Sequence, residues 1–176
     1  MIAVFLDRDG VVIKDKNYQY KVADLELIEG ASDSIKRLNA AGFLVIIVSN
    51  QSGIARGYFT EKDLEEFNSA LLSEFKERGA MIDAIYYCPH HPTEAKVKKY
   101  MVECDCRKPK PGILLKAAKE HGIELSKSWM IGDKESDVFA GKAAGCRTVL
   151  IGRKNALADY SAKDLNEAVD YILRTR

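Results

Sequence analysis

Two carboxylates one residue apart, Asp7 and Asp9, follow the apolar run Ile2 to Leu6 and precede Gly10. That pattern is a buried strand ending at a pair of acids, with a glycine to turn the chain. Residues i and i+2 of an extended chain project to the same side, so the two carboxylates crowd each other. A cation between them, or a proton on one, relieves the repulsion. Oxygen ligands of this kind suit a hard cation such as Mg²⁺. Alone, the segment reads as well as a loop carrying two solvated acids.

A second set has softer chemistry. Cys88-Pro89-His90-His91 and Cys104-Asp105-Cys106 supply enough ligands for a tetrahedral Zn²⁺ site. Close pairs joined by a longer loop fit a structural site, in which three Cys and one His leave no open position for catalysis. Either His90 or His91 can complete the set. Free core cysteines are the competing reading, although all three lie in a polar segment. Cys146, between a helix and an apolar strand, reads as ordinary core.

The elements that must position these residues follow from apolar periodicity. Strands are expected at Ile2–Leu6, Phe43–Val48, Ile82–Tyr87, Trp129–Ile131 and Thr148–Ile151. Helices are expected at Ala31–Ala41 and from Thr60 to Gly79, with a Thr60/Asp63 capping box and a Leu64, Phe67, Leu71, Phe75 stripe. A third helix opens at Pro111, with Leu114, Leu115 and Ala118 inward, and Gly122 closes it. A fourth spans Ser136–Ala144. A last one, capped by Ser161 and Asp164, carries Leu165, Ala168, Val169 and Ile172. Val11 to Glu29 is an irregular polar stretch. Strands alternating with helices give an α/β fold, a doubly wound (Rossmann-like) parallel sheet covered on both faces. Ligands of such sheets sit at the C-terminal strand ends. Those ends carry Asp7 and Asp9, then Ser49, then Asp133, and Lys108 follows the third strand.

Gathered there, three acids imply a divalent cation. With it bound, Lys108, Ser49 and backbone N–H groups can hold a phosphoryl group while a carboxylate attacks phosphorus, forming an aspartyl phosphate. The second acid can protonate the leaving oxygen and later deprotonate water.

The totals bound the alternatives. The chain has 176 residues, 47% of them hydrophobic and 30% charged, as expected for one globular domain over residues 1–176. A net charge of +1 gives no basic field for nucleic acid. No apolar run approaches the ~18 residues that span a bilayer. The opening strand leaves no room for a signal peptide, so a cytoplasmic location is expected. Nothing argues for an oligomer, so a monomer is expected. The charges of Arg56, Lys96, Lys98 and Lys99 read as solvated.

In chain order, Asp7-Arg8-Asp9-Gly10, Ser49-Asn50, Lys108-Pro109 and Gly132-Asp133-Lys134 with Asp137 resemble the four motifs of haloacid-dehalogenase (HAD) superfamily phosphatases. The resemblance implies a HAD-like domain without a large cap domain, with Asp7 as nucleophile and Asp9 as general acid and base. It places Mg²⁺ on Asp7, the backbone carbonyl of Asp9 and Asp133, and the phosphate on Ser49 and Lys108, with Lys134 beside them. Asp137 belongs to the motif, but a helix N-terminus attracts acids anyway, so a structural role is equally open.

The Ser49–Gly57 loop, Cys106-Arg107-Lys108-Pro109 and the cysteine loop (about 88–106) narrow the likeness. Together they resemble the D-glycero-D-manno-heptose 1,7-bisphosphate phosphatases, which remove the 7-phosphate in activated-heptose synthesis. Histidinol-phosphate phosphatases are the near alternative, and a non-catalytic phosphosugar-binding module is the alternative of another class. The likeness implies a small phosphorylated sugar as substrate and Zn²⁺ on Cys88, His90, Cys104 and Cys106. It places Asp15, Lys16, Asn17, Tyr18, Asn50, Gln51 and Ser52 along the sugar and Arg107 at a second phosphate or the sugar hydroxyls. Glycine is commoner than asparagine at position 17 in that family.

Overall fold

The computed structural model describes residues 1–154 and 156–175. Its chain order is β1 (Ala3–Leu6), α1 (Ala31–Ala40), β2 (Leu44–Asn50), α2 (Glu61–Glu77), β3 (Ala84–Cys88), α3 (Gly112–His121), β4 (Trp129–Gly132), α4 (Glu135–Ala144), β5 (Arg147–Ile151), β6 (Tyr160–Ala162) and α5 (Leu165–Arg174). The strands form one sheet in the order β3-β2-β1-β4-β5-β6, and every neighbouring pair is parallel. The chain winds outward from β1 to β3, then crosses back to lay β4 on the other side of β1. That reversal opens a crevice at the C-terminal ends of β1 and β4, where the acids lie.

The four residues of β1 are all buried, and they alternate between two core layers. Val4 and Leu6 face a layer with Ile35 and Leu38 of α1, Phe67, Leu71 and Phe75 of α2, and Val169 and Ile172 of α5. Ala3 and Phe5 face Ile113, Leu114 and Ala117 of α3 and Ala140 of α4. Burial on both faces explains why β1 and β2 read as continuous apolar runs instead of alternating ones. The α2 capping box forms as expected: Asp63 N–H donates to Thr60 Oγ1 at 3.2 Å, and Thr60 N–H donates to Asp63 Oδ2 at 2.7 Å. Among the described residues no large cap domain covers the strand ends.

Four expectations change. Ser161 does not cap α5; it pairs with Leu150 in a sixth strand, too short to show a periodicity, and Asp164 alone caps the helix, accepting from Glu167 N–H at 2.8 Å. Leu115 is 45% exposed, because α3 turns Ile113, Leu114 and Ala117 inward. β2 continues through Ser49 and Asn50, and β3 ends on Cys88, so these residues belong to rigid strands rather than loops. The stretch after β1 is not wholly polar in its packing: Val11, Val12 and Ile13 are buried.

Replacing Phe75, fully buried on α2, by alanine is expected to cost about 3–5 kcal/mol in urea unfolding. Leu115→Ala, on the exposed face of α3, should stay within about 0.5 kcal/mol. Equal losses would show that α3 is packed differently from this description.

Candidate functional site

The site is centred on a buried ammonium. Lys108 Nζ lies 2.8 Å from Asp7 Oδ1, 2.6 Å from Asp137 Oδ1 and 2.7 Å from the Val48 carbonyl oxygen. Burial opposes its charge, but Asp7 and Asp137 overcome that and raise its pKa. The Asn50 side chain clamps the same residue by its backbone: Nδ2 donates to the Lys108 carbonyl at 2.9 Å, and Oδ1 accepts from Lys108 N–H at 3.0 Å.

Carboxylate oxygens of Asp7, Asp133 and Asp137 lie within 4.8 Å of one another. The chain reaches this density through two glycines. A Cβ on Gly10 would sit 2.5 Å from Asp133 Oδ2, and one on Gly132 would sit 2.2 Å from the Asp137 side chain. Asp137 also accepts from Lys134 N–H at 3.1 Å, anchoring the start of α4. Asp137 thus contacts Lys108 as well as the start of its own helix. Burial, with Asp7 and Asp137 adding to it and Lys134 opposing, pushes Asp133 up to about 6. Asp133 Oδ1 is buried without a hydrogen-bond partner. Three acids against one buried ammonium, with an orphaned oxygen and only oxygen donors, fit a hard divalent cation such as Mg²⁺.

The Asp9 side chain stands outside this trio. Its Oδ1 accepts from Arg8 Nη2 (3.1 Å) and Gln19 Nε2 (3.0 Å), and its Oδ2 from Arg8 Nε (3.0 Å) and Gln51 Nε2 (3.1 Å). The expected crowding of Asp7 and Asp9 is therefore met by separate partners, and any share Asp9 takes in a metal falls to its backbone carbonyl. Gln51 Nε2 also reaches Ser49 Oγ at 2.7 Å, tying the hydroxyl to the acid.

Asp9, Asp15, Asn17, Tyr18, Asn50, Gln51, Ser52, Arg107, Lys108 and Lys134 line one cleft of about 430 Å³, together with Arg8 and Ser136. Lys16 is not among them. It turns away onto Glu26 Oε2 at 3.1 Å and the Asp24 carbonyl at 2.9 Å, satisfying its charge within its own loop. Asn17 and Tyr18 both have positive φ, 57° and 51°. Asparagine tolerates that conformation best among side-chain-bearing residues and glycine adopts it freely, so position 17 suits either. Tyr18 meets Tyr58 edge-on, with ring centroids 4.9 Å apart, and the Arg56 guanidinium lies 5.6 Å from its ring centroid. Arg56 also pairs with Glu94, so it is a packed support and not a solvated charge.

The cysteine loop closes on itself beside this cleft. Cys106 Sγ lies 3.1 Å from Cys88 Sγ, 3.3 Å from Cys104 Sγ and 3.5 Å from His90 Nδ1, and Cys88 Sγ lies 3.5 Å from Cys104 Sγ. Ligands about 2.3 Å from a tetrahedral zinc stand roughly 3.8 Å apart, so this nest is close to the required size. His91 faces elsewhere, its Nδ1 accepting from Glu94 N–H at 2.9 Å. The hydrogen bond with Cys106, and then burial, pushes the Cys88 thiol up; the same bond lowers Cys106 to about 5, against burial. Thiols this close share protons unevenly until a cation lets all of them ionise.

Arg8 and Gln19 were not evident as site residues. An arginine between two acids carries no sign that it will be buried, and Gln19 reaches Asp9 from an irregular loop.

A doubly wound parallel sheet with clustered acids and a lysine at its switch point suits a phosphoryl-transfer hydrolase, and residues 105–175 match the HAD-hydrolase-like family. The chain is 42% identical over 171 residues to the D-glycero-beta-D-manno-heptose-1,7-bisphosphate 7-phosphatase of Pasteurella multocida, covering 97% of this chain and 92% of that one. It is 43% identical to the Helicobacter pylori enzyme of the same name, covering 97% and 96%. A D,D-heptose 1,7-bisphosphate phosphatase from B. bronchiseptica, solved with magnesium and phosphate, superposes with a TM-score of 0.87 at 29% identity, covering all of both chains. The chain belongs to the D-glycero-β-D-manno-heptose-1,7-bisphosphate 7-phosphatase family.

Metal analysis of the purified protein should find about one Zn²⁺ per chain, and Cys106→Ser should lose it. Stripping the metal should lower Tm by roughly 5 °C or more, since metal binding stabilises only the folded loop. No bound zinc together with freely titratable thiols would refute the site.

Proposed function

We propose that this protein hydrolyses the 7-phosphate of D-glycero-β-D-manno-heptose 1,7-bisphosphate, a step of activated-heptose synthesis, through an aspartyl phosphate on Asp7. The observation that carries the reading is the joining of Asp7, Asp133 and Lys108 at one strand edge, in a chain that belongs to this family. Choice of the β anomer follows the names of the relatives.

In this reading an Asp7 carboxylate oxygen attacks phosphorus as the bond to the sugar oxygen O7 breaks. Asp9 gives its proton to O7 and, once the heptose 1-phosphate has left, takes a proton from the water that attacks the acyl phosphate. Lys108, held between Asp7 and Asp137, turns one of its three N–H donors from these partners to the phosphoryl oxygens, which Ser49 also meets. A Mg²⁺ ion, held by Asp7, Asp133 and the Asp9 carbonyl, supplies positive charge that lets a phosphate dianion approach these acids. Asp137 keeps Lys108 placed. Arg107, a planar fork in the cleft wall, suits the 1-phosphate or the sugar hydroxyls, and Lys134 adds a second cation. Asp15, Asn17, Tyr18, Asn50, Gln51 and Ser52 line the sugar. The four-ligand nest takes a structural Zn²⁺ on Cys88, His90, Cys104 and Cys106. Residues 1–176 act as one catalytic domain, and no helix among the described residues is long and apolar enough to cross a membrane.

Asp7→Asn should cut phosphate release by on the order of 10³-fold or more while circular dichroism stays unchanged. In the unmodified protein, kcat/KM for the β bisphosphate should exceed that for the α anomer and for histidinol phosphate by at least about tenfold. Undiminished turnover in Asp7→Asn would sink the mechanism; a preference for histidinol phosphate would sink the substrate.

A further inference from the structure

Arg8 is 1% exposed, and the proposed chemical steps leave it without a part. Its guanidinium carbon lies 4.8 Å from the Phe67 ring centroid, and Nη1 reaches Asn68 Oδ1 at 3.4 Å. Nε and Nη2 each donate to a different oxygen of Asp9. A planar fork grips a carboxylate in one plane only, which a lysine or an amide cannot do. Gln19 adds a donor to Oδ1, and its Nε2 also faces the Lys14 carbonyl at 2.9 Å. Two acceptors on that side fix which end of the amide points there. With Gln51 on Oδ2, four donors occupy a group with about four lone-pair positions.

Stability alone is a weak reason for such an arrangement, because apolar residues of similar volume often replace a buried ion pair without loss. The acid it grips, however, lines the substrate cleft. We propose that Arg8 is a positioning residue for proton transfer: its fork, braced by Phe67 and Asn68 and completed by Gln19, fixes the plane in which the Asp9 carboxyl meets the departing sugar oxygen. This rests on the reading of Asp9 as the acid. A protonated Asp9 carries its proton on Oδ2 only where Gln51, which lines the cleft and has Ser49 Oγ as a second partner, has withdrawn; as the bond from Asp7 to phosphorus forms and the bond to O7 breaks, that proton passes from Asp9 to O7, and Gln51 returns. Asp9 is left as the carboxylate that the four donors hold.

The test compares kcat/KM for the heptose bisphosphate with that for p-nitrophenyl phosphate in Asp9→Asn, Arg8→Met, Arg8→Lys and Gln19→Leu. This parameter reads the reaction only through departure of the leaving group. A sugar alkoxide needs a proton and a nitrophenolate does not. Asp9→Asn should lose roughly 10²- to 10⁴-fold with the sugar ester, and much less with the aryl ester. Arg8→Met should show the same selectivity, with a sugar-to-aryl ratio at least about tenfold lower than in the unmodified protein. Arg8→Lys, which keeps the charge without the fork, and Gln19→Leu should lower that ratio too. If Arg8→Met fails to fold, by circular dichroism, these two variants decide. Equal losses with both substrates in the Arg8 and Gln19 variants, beside a selective loss in Asp9→Asn, would overturn the proposal. An unselective Asp9→Asn would overturn the reading beneath it.

Discussion

Everything at the strand edge depends on one buried ammonium. Lys108 lies between Asp7, at the end of β1, and Asp137, in the first turn of α4, and touches the backbone of β2. It therefore ties α4 and its own segment to two strands that the sheet already pairs. A buried ion pair contributes little net stability, but removing one partner leaves an unpaired charge and typically costs about 3–5 kcal/mol. The elements on either side are thus committed to one another. The segment that delivers the lysine is fixed twice, by the Asn50 amide on its backbone and by Cys106 two residues before it in the thiol nest. A cluster of soft ligands thereby fixes the part of the chain that serves the cluster of hard ones.

Much of this fold was legible in the sequence. β1 and β2 announced themselves as continuous apolar runs, because a strand buried on both faces needs no polar alternation. The α2 cap was legible for a different reason: its hydrogen bonds are local, between residues three apart. β6 was not, since three residues carry no period, and Ser161 suits a cap as well as an edge strand. Leu115 was misplaced because two adjacent leucines leave the phase of a helix undetermined.

The site was legible in residue type more than in partnership. Asp7, Asp133, Lys108 and the three cysteines could be chosen because their chemistry needs those side chains at strand ends or in a close loop. Where a side chain turns is set by tertiary neighbours, and there the sequence was silent. Lys16 found Glu26 instead of the cleft. Arg56 found Tyr18 and Glu94 instead of water. Asp137 took up Lys108 as well as its helix, and Asp9 acquired its fork from its own neighbour in the chain. The paired left-handed residues Asn17 and Tyr18 belong to the same class, being held by a wall drawn from other loops.

That no cap covers the strand ends among the described residues bears on the rhythm of turnover. In hydrolases that enclose their substrates, the reopening of a lid often limits the rate. In the proposed reaction no such reopening stands between the two half-reactions: the cleft that takes the sugar ester also admits the water that must cleave the acyl phosphate.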